Sequence, residues 1–114
     1  MTDCLFCKMV AKEIQPDIVY EDELCMAFRD ISPQAPTHLV FIPKKEIPTL
    51  NDVQKDDQNL MGHMMTLVPK IAEEAGIAES GYRVVINTNG DGGQEVPHIH
   101  LHILGGRQLK WPPG

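Results

Sequence analysis

Histidine and apolar residues alternate strictly over positions 98–103, the clearest pattern in the chain. Side chains of an extended strand point alternately to the two faces of a sheet, so His98, His100 and His102 would share one face. The apolar residues between them would share the other face, where a core can bury them. The pattern predicts a strand with one buried apolar side and a row of imidazoles on the other.

A second periodic pattern predicts the main helix. Apolar residues in the segment 60–75 recur at spacings of three and four residues, the period of one helix face. We expect this helix to begin near Asn51 or Asp52, because both are good N-cap residues, and to end at Gly76. Pro69 should kink it, because proline has no N–H to donate and its ring crowds the preceding turn.

Shorter apolar runs, bounded by prolines and polar turns, predict the remaining elements. A short helix over residues 4–13 would be capped by Asp3 and ended by Pro16. Four further strands are predicted over residues 18–20, 24–28, 38–42 and 82–87. Together they indicate one α+β domain of residues 1–114, a five-stranded antiparallel sheet with one long and one short helix.

The composition argues against several classes of protein. Lys and Arg number 10 against 16 Asp and Glu, a formal net charge of −6, whereas a phosphate backbone requires a basic face. There is no run of about 20 apolar residues, and no basic segment followed by an apolar one marks a signal peptide. We therefore expect a cytoplasmic protein with no direct nucleic-acid or membrane binding. The odd count of three cysteines favours reduced thiols over a disulfide framework.

The histidine pattern suggests phosphoryl chemistry. A neutral imidazole can attack phosphorus without a metal, and neighbouring imidazoles can donate protons or orient the nucleophile. His100 is the natural nucleophile, because a histidine stands on either side of it. The preceding Gly92 and Gly93 allow backbone N–H groups to cradle an anion. Zinc is the competing interpretation, although neighbours on one strand face rarely surround a tetrahedral ion.

Cys4 and Cys7 form a C-x-x-C pair near the start of the short helix. Three interpretations stay open for this pair. It could bind a structural zinc with histidines as the further ligands, it could be two thiols without special function, or it could be a redox pair. Cys25 lies in an apolar strand and is expected in the core.

The sequence resembles a known family over nearly its whole length. Residues 98–104 resemble the histidine triad signature, three histidines separated by single apolar residues and followed by two more. Residues 28–38, 42–45 and 92–94 look like the Hint branch, the histidine triad nucleotide-binding proteins. Residues 105–114 are similar to the C-terminal tail of that branch.

The resemblance implies a homodimer whose two sheets join into one continuous sheet, with the tail docking at the dimer interface. It implies binding of purine nucleotides and hydrolysis of nucleoside phosphoramidates and acyl-adenylates through a covalent nucleotidyl-histidine, which releases a nucleoside monophosphate. No cofactor is required for this chemistry. Two alternatives stay open. One is a nucleotide-binding regulatory module with incidental turnover. The other is a dinucleoside polyphosphate hydrolase of the sister fragile histidine triad branch, which favours Gln at the start of its signature.

Residue roles follow from the resemblance by position. His100 matches the nucleophile and His102 the contact to the reacting phosphate, while His98 and His38 support them. Asp30 matches the acid that binds the ribose hydroxyls. The residues expected near the base and on the phosphate side are, respectively, Phe28 and Ile31, and Asn87, Gly93, Gln94, Glu95 and Val96.

Two positions depart from the family pattern. Glu95 stands where many relatives have serine, and Pro97 stands where an aromatic residue is common. A carboxylate would repel a phosphate, so Glu95 would either point away or meet a cationic leaving group. We expect the reaction class to be kept and the leaving-group preference to differ.

Zinc is a further implication of the resemblance. Some relatives with an N-terminal cysteine pair bind zinc through this pair and two histidines. The matching residues here are Cys4, Cys7, His38 and His98. A structural zinc would compete with the supporting roles of the two histidines.

Overall fold

A computed structural model describes residues 4–114. Two helices and five strands form the framework, and two short 3₁₀ turns, Leu50–Asp52 and Lys55–Asp57, precede the longer helix. In chain order the elements are α1 (Leu5–Val10), β1 (Ile18–Glu21), β2 (Cys25–Arg29), β3 (Thr37–Pro43), α2 (Gln58–Glu74), β4 (Tyr82–Val85) and β5 (Leu101–Gly105).

The strands form one antiparallel sheet in the order β1-β2-β3-β5-β4. This architecture confirms the predicted α+β fold with its five-stranded antiparallel sheet and two helices. β3 lies at the centre and pairs with β5, so that Val40 stands opposite His102 in the register. The histidine-rich segment is thereby held beside β3, the strand that carries His38.

Each face of the sheet has its own core. Leu39 and Phe41 of β3 pack in the core that contains the α2 residues Met64 and Val68. The alternate β3 residues, Val40 and Ile42, pack in a second core that contains Phe6 and Met9 of α1. His38 alternates with Leu39 along β3, so it shares with Val40 the face that α1 covers. No helix within residues 4–114 is long and apolar enough to span a membrane.

The start of α2 differs from the prediction. The helix begins at Gln58, because the Asp52 carboxylate accepts the Thr49 N–H at 3.1 Å and closes a separate 3₁₀ turn. Residues 50–57 are therefore used in short turns before the helix starts. α2 continues through Pro69 and ends at Glu74, and Gly76 follows with a φ of 78°. That left-handed conformation is the predicted glycine ending.

The short helix also differs from the prediction. α1 ends at Val10, and the chain turns at Lys12 with a φ of 65°, before Pro16 is reached. The N-cap is Cys4, whose sulfur accepts the Cys7 N–H at 3.1 Å. The predicted cap, Asp3, lies outside the described residues.

Candidate active site

The histidine segment is only partly a strand. β5 begins at Leu101, three residues later than predicted. The Ile99 N–H donates instead to the Ile47 carbonyl at 2.7 Å, which ties residues 98–100 to the loop after β3. Ile99 is nevertheless buried, as the alternation predicted. The histidine segment is thus held by a long-range loop contact.

Four histidines meet on the α1 side of the sheet. His98 and His100 are almost fully buried, at 1% and 5% exposure, and His38 is buried beside them. The rings of His100 and His102 have their centroids 4.9 Å apart, and those of His102 and His38 are 5.1 Å apart. The predicted row therefore continues from the histidine segment into β3.

The hydrogen bond of His100 defines its tautomer. Its Nδ1 lies 2.7 Å from the carbonyl oxygen of His98. A carbonyl can only accept, so Nδ1 carries the proton, and a neutral ring then has a lone pair on Nε2. Burial lowers the pKa of His100, against the opposing effects of this hydrogen bond and of Asp30. The ring is therefore neutral near pH 7, as a nucleophile requires.

His38 sets the tautomer of His102, which is opposite to that of His100. The Gln34 N–H donates to His38 Nδ1 at 3.0 Å, so His38 carries its proton on Nε2. This Nε2 lies 2.9 Å from His102 Nδ1, which accepts, and His102 is left with its proton on Nε2. Burial, together with the charges of His100 and His38, lowers the pKa of His102 to about 4. His102 is thus a neutral ring with an N–H to donate.

His98 is anchored away from the reacting ring. Its Nε2 donates to the Pro43 carbonyl at 2.7 Å, so its Nδ1 is an acceptor and lies 3.4 Å from Cys7 Sγ. Burial lowers the pKa of His98 and keeps the ring neutral. Its side chain therefore supports the site from behind, while its carbonyl serves His100.

A cavity of about 850 Å³ opens beside these rings. Such a volume is typical of small-molecule sites. The structure brings together around it most of the residues expected from the sequence. These are Phe28, Asp30, Ile31, His38, Gly93, Glu95, Val96, His100 and His102.

Asn87 and Gln94, which were also expected on the phosphate side, do not line the cavity. Asn87 Nδ2 donates to the Gly92 carbonyl at 2.7 Å, and Gln94 Nε2 donates to the Pro48 carbonyl at 2.7 Å. Their amides hold the loop in shape instead. Gly92 belongs to the same packing, because a Cβ there would collide with the backbone of Thr88.

The contribution of α1 to the cavity was not predicted. Leu5, Phe6 and Met9 line the cavity, and Phe6 packs edge-on against His100 with ring centroids 4.9 Å apart. The chemical predictions for this helix concerned only the cysteines on either side of Phe6. The topology could have predicted it. Because α2 fills one face of the sheet, an apolar short helix must pack on the other face, beside the histidines.

The cysteine pair forms a three-donor cluster with His98. Cys4 and Cys7 are joined by a disulfide, so the expectation of reduced thiols is wrong for this pair, while Cys25 is a free buried cysteine as predicted. The two sulfur atoms and a ring nitrogen of His98 all lie within 4.8 Å of one another. In the dithiolate form, these donors are the types that zinc prefers.

His38 does not belong to this cluster, which corrects the predicted set of four zinc ligands. Gln34 and His102 engage its two ring nitrogens. His38 groups instead with Asp30 and His102. The sequence positions could not separate the two histidines, because both lie beside the same row of rings.

An antiparallel sheet that carries a row of histidines, with a nucleotide-sized cavity beside it, defines the class of protein. The family model described as the HIT domain matches residues 11–109, and the chain therefore belongs to the HIT family. This finding confirms the resemblance to the histidine triad proteins.

Particular relatives narrow the comparison. The purine nucleoside phosphoramidase of Escherichia coli strain K12 is 57% identical over 107 residues, which cover 94% of this chain and 90% of that protein. The crystal structure of a HIT family hydrolase from Legionella pneumophila has a TM-score of 0.95 at 56% identity, covering 98% of this chain and 100% of the other. A histidine triad protein from Clostridium difficile has a TM-score of 0.91 at 42% identity, with 96% of each chain covered.

Proposed function

We propose that this chain is a purine nucleoside phosphoramidase that cleaves the P–N bond through a covalent nucleotidyl intermediate on His100. The activity is the one named for the Escherichia coli relative. The observation that carries the mechanism is the hydrogen bond from His100 Nδ1 to the His98 carbonyl, because it leaves the Nε2 lone pair for attack.

In the first step, His100 Nε2 forms a bond to phosphorus while the P–N bond breaks. The leaving nitrogen takes up a proton from water and departs as an amine, and the nucleotidyl imidazole keeps its Nδ1 proton on the His98 carbonyl. His102 Nε2–H donates to a phosphate oxygen and stabilises the charge that develops there. In this step the nucleotidyl group passes to His100, and the step calls for no metal ion.

In the second step, water attacks phosphorus and the bond to His100 breaks. The nucleoside monophosphate leaves, and one proton returns to solvent. The net reaction consumes one water and releases an amine. The neutral state of the rings supports both steps, because burial lowers the pKa of His100 and of His102.

The cavity suggests how the nucleotide would lie. The Asp30 carboxylate would accept from the ribose hydroxyls, and the apolar walls formed by Phe28, Ile31 and Phe6 would enclose the purine. Gly93 lies on the phosphate side, where backbone N–H groups can bind an anion. The exposed carboxylate of Glu95 lines the same cavity and would favour a cationic leaving group over an anionic one.

The proposal includes a homodimer. β4 is an edge strand of the sheet, and its residues are only half-buried. An edge of this kind can pair with another strand, and a second copy there would extend the two sheets into one. Trp111 of the tail is 82% exposed and would be covered by the partner.

The proposal also includes a structural zinc, bound by Cys4, Cys7 and His98 when the pair is reduced. Catalysis at His100 would not require it. The cytoplasmic location predicted from the sequence stays a prediction, which cell fractionation would check.

Assays with adenosine and guanosine phosphoramidates, and separately with diadenosine polyphosphates as alternative substrates, test this function. We expect release of the nucleoside monophosphate from the phosphoramidates. Hydrolysis of the dinucleoside polyphosphates alone would assign the chain to the alternative activity. Binding of nucleotides without any turnover would favour a binding module.

A further inference from the structure

We infer that Arg107 is a positioning residue for the histidine site, acting through Gln34 and His38 to fix the tautomer of His102. The inference rests on the proposed function, in which His102 Nε2–H donates to the reacting phosphate. Arg107 lies just beyond β5 and lines no part of the catalytic cavity.

The first link joins Arg107 to the loop before β3. Its Nε and Nη2 both donate to the carbonyl oxygen of Gln34, at 3.2 and 3.0 Å. The preceding Gly106 makes this approach feasible, because a Cβ there would come within 2.9 Å of Pro36. Gly106 also has a φ of 92°, which favours glycine. The chain is thus built to pass closely over residues 31–36.

That loop needs an external tie. It contains two prolines and forms no regular structure, and Ile31 within it is 93% exposed. Gln34 itself is exposed beside the buried Ala35, and its side-chain Nε2 donates to the Ser32 carbonyl of the same loop at 3.0 Å. The two donors of the planar Arg107 guanidinium hold the Gln34 carbonyl in one orientation. A lysine, with one ammonium group on a flexible chain, would not reproduce this arrangement.

The second link carries this position to the rings. The Gln34 N–H donates to His38 Nδ1, so His38 holds its proton on Nε2 and donates to His102 Nδ1. If Gln34 moved away, His38 could carry its proton on Nδ1 and accept from His102 instead. His102 would then present a bare Nε2 lone pair to an anionic phosphate.

Asp30 moderates the effect. Its Oδ2 lies 3.4 Å from His38 Nε2 and favours the same protonated nitrogen. Loss of Arg107 should therefore mix the two tautomers and not invert them. We expect kcat to fall about three- to tenfold, the range set by one net hydrogen bond, with little change in KM.

The test compares the Arg107→Ala and Arg107→Lys variants with wild type. Arg83→Ala is the matched control, because Arg83 donates to the Lys110 carbonyl at 2.9 Å and also ties the chain after β5, but elsewhere. Ring ¹⁵N NMR signals of the nucleotide-free protein report which nitrogen of each histidine is protonated. Steady-state kinetics with an adenosine phosphoramidate report kcat and KM.

We expect the His38 and His102 signals of Arg107→Ala to move towards a tautomer mixture, those of Arg107→Lys to move less, and those of Arg83→Ala to match wild type. Unchanged ring signals in Arg107→Ala would overturn the inference, whatever happens to kcat. Changed signals with an unchanged kcat would overturn the positioning role. If the wild-type protein hydrolyses no phosphoramidate, the proposed function is contradicted. The NMR result still decides whether Arg107 controls the tautomers of His38 and His102.

Discussion

His38 Nε2 and His102 Nδ1 lie 2.9 Å apart although 64 positions separate the two residues in the chain. The pairing of β3 with β5 creates this contact. It converts two neutral rings into a directed pair, in which one donates and the other accepts. The polarity of the pair decides whether the free Nε2 of His102 carries a proton or a lone pair.

Replacing His100 tests the nucleophile. His100→Ala should lower turnover by several orders of magnitude, because only binding and electrostatic effects would remain. Mass spectrometry of quenched wild type should locate a nucleotidyl adduct on His100. His63→Ala is the matched control, since His63 pairs with Asp22 at 2.7 Å outside the site. An adduct on any other histidine would contradict the assignment.

Asp30→Asn tests the ribose contact. Charge-assisted hydrogen bonds are the stronger kind, so ribonucleotide affinity should fall more than that of 2′-deoxynucleotides. Calorimetric titration with both nucleotides measures the difference. Asp17→Asn provides the control, because Asp17 lines the same cavity and pairs with Arg29 at 3.5 Å. Equal losses for both nucleotides in Asp30→Asn would remove this role.

Reduction of the Cys4–Cys7 disulfide should create a zinc site. The two thiolates and His98 would bind about one zinc per chain, and the binding energy would raise the thermal stability of the reduced protein. Elemental analysis after reduction and zinc loading checks this. Cys7→Ser should lose the metal, and Cys25→Ala should retain it, because Cys25 lies in the core on the α2 face. Reduced wild type without zinc would refute the site.

Deletion of residues 108–114 tests the tail. Arg107 is retained, so the hydrogen bonds that link it through Gln34 to His38 are left in place. We expect the order of preferred leaving groups to change while the dimer persists, because the tail would contact the partner's site and the sheet edge would form most of the interface. Size-exclusion chromatography and a phosphoramidate panel measure the two properties. An unchanged order and unchanged rates would mean that the tail only packs.

The histidines predict a loss of stability in acid. Burial lowers the pKa of all four site histidines below 6.5, and that of His102 to about 4. The unfolded chain therefore binds more protons than the native protein below pH 6.5, and the free energy of unfolding falls as pH drops towards about 4. Thermal unfolding across that range checks the slope. His102→Gln should have a shallower slope, and an identical slope would contradict the assignment.

Patterns in the sequence predicted the features that depend on one element at a time. The alternation that starts at His98 identified three of the four clustered histidines, and the spacing at 60–75 identified α2. The predicted start of α2 was wrong because the Asp52 carboxylate accepts the Thr49 N–H and does not cap the helix. Helix propensity does not include such a local hydrogen bond.

Features that depend on backbone atoms of distant segments could not be predicted. The Ile47 carbonyl determines where β5 starts, and the Gln34 peptide groups link Arg107 to His38. A backbone group has no signature in the sequence, because every residue has one. The separation of His38 from the cysteine pair likewise depends on distances that only the assembled sheet defines.

The hydrogen bond between His98 and His100 has an evolutionary consequence. His98 serves the nucleophile through its carbonyl oxygen, an atom that no substitution can remove. Its imidazole donates to the Pro43 carbonyl, as an amide such as glutamine could also do, and its other ring nitrogen lies beside Cys7 Sγ as a candidate zinc ligand. Where no zinc is bound, the first position of the signature is therefore open to drift, while the proposed nucleophile His100, two residues further on, must be inherited unchanged.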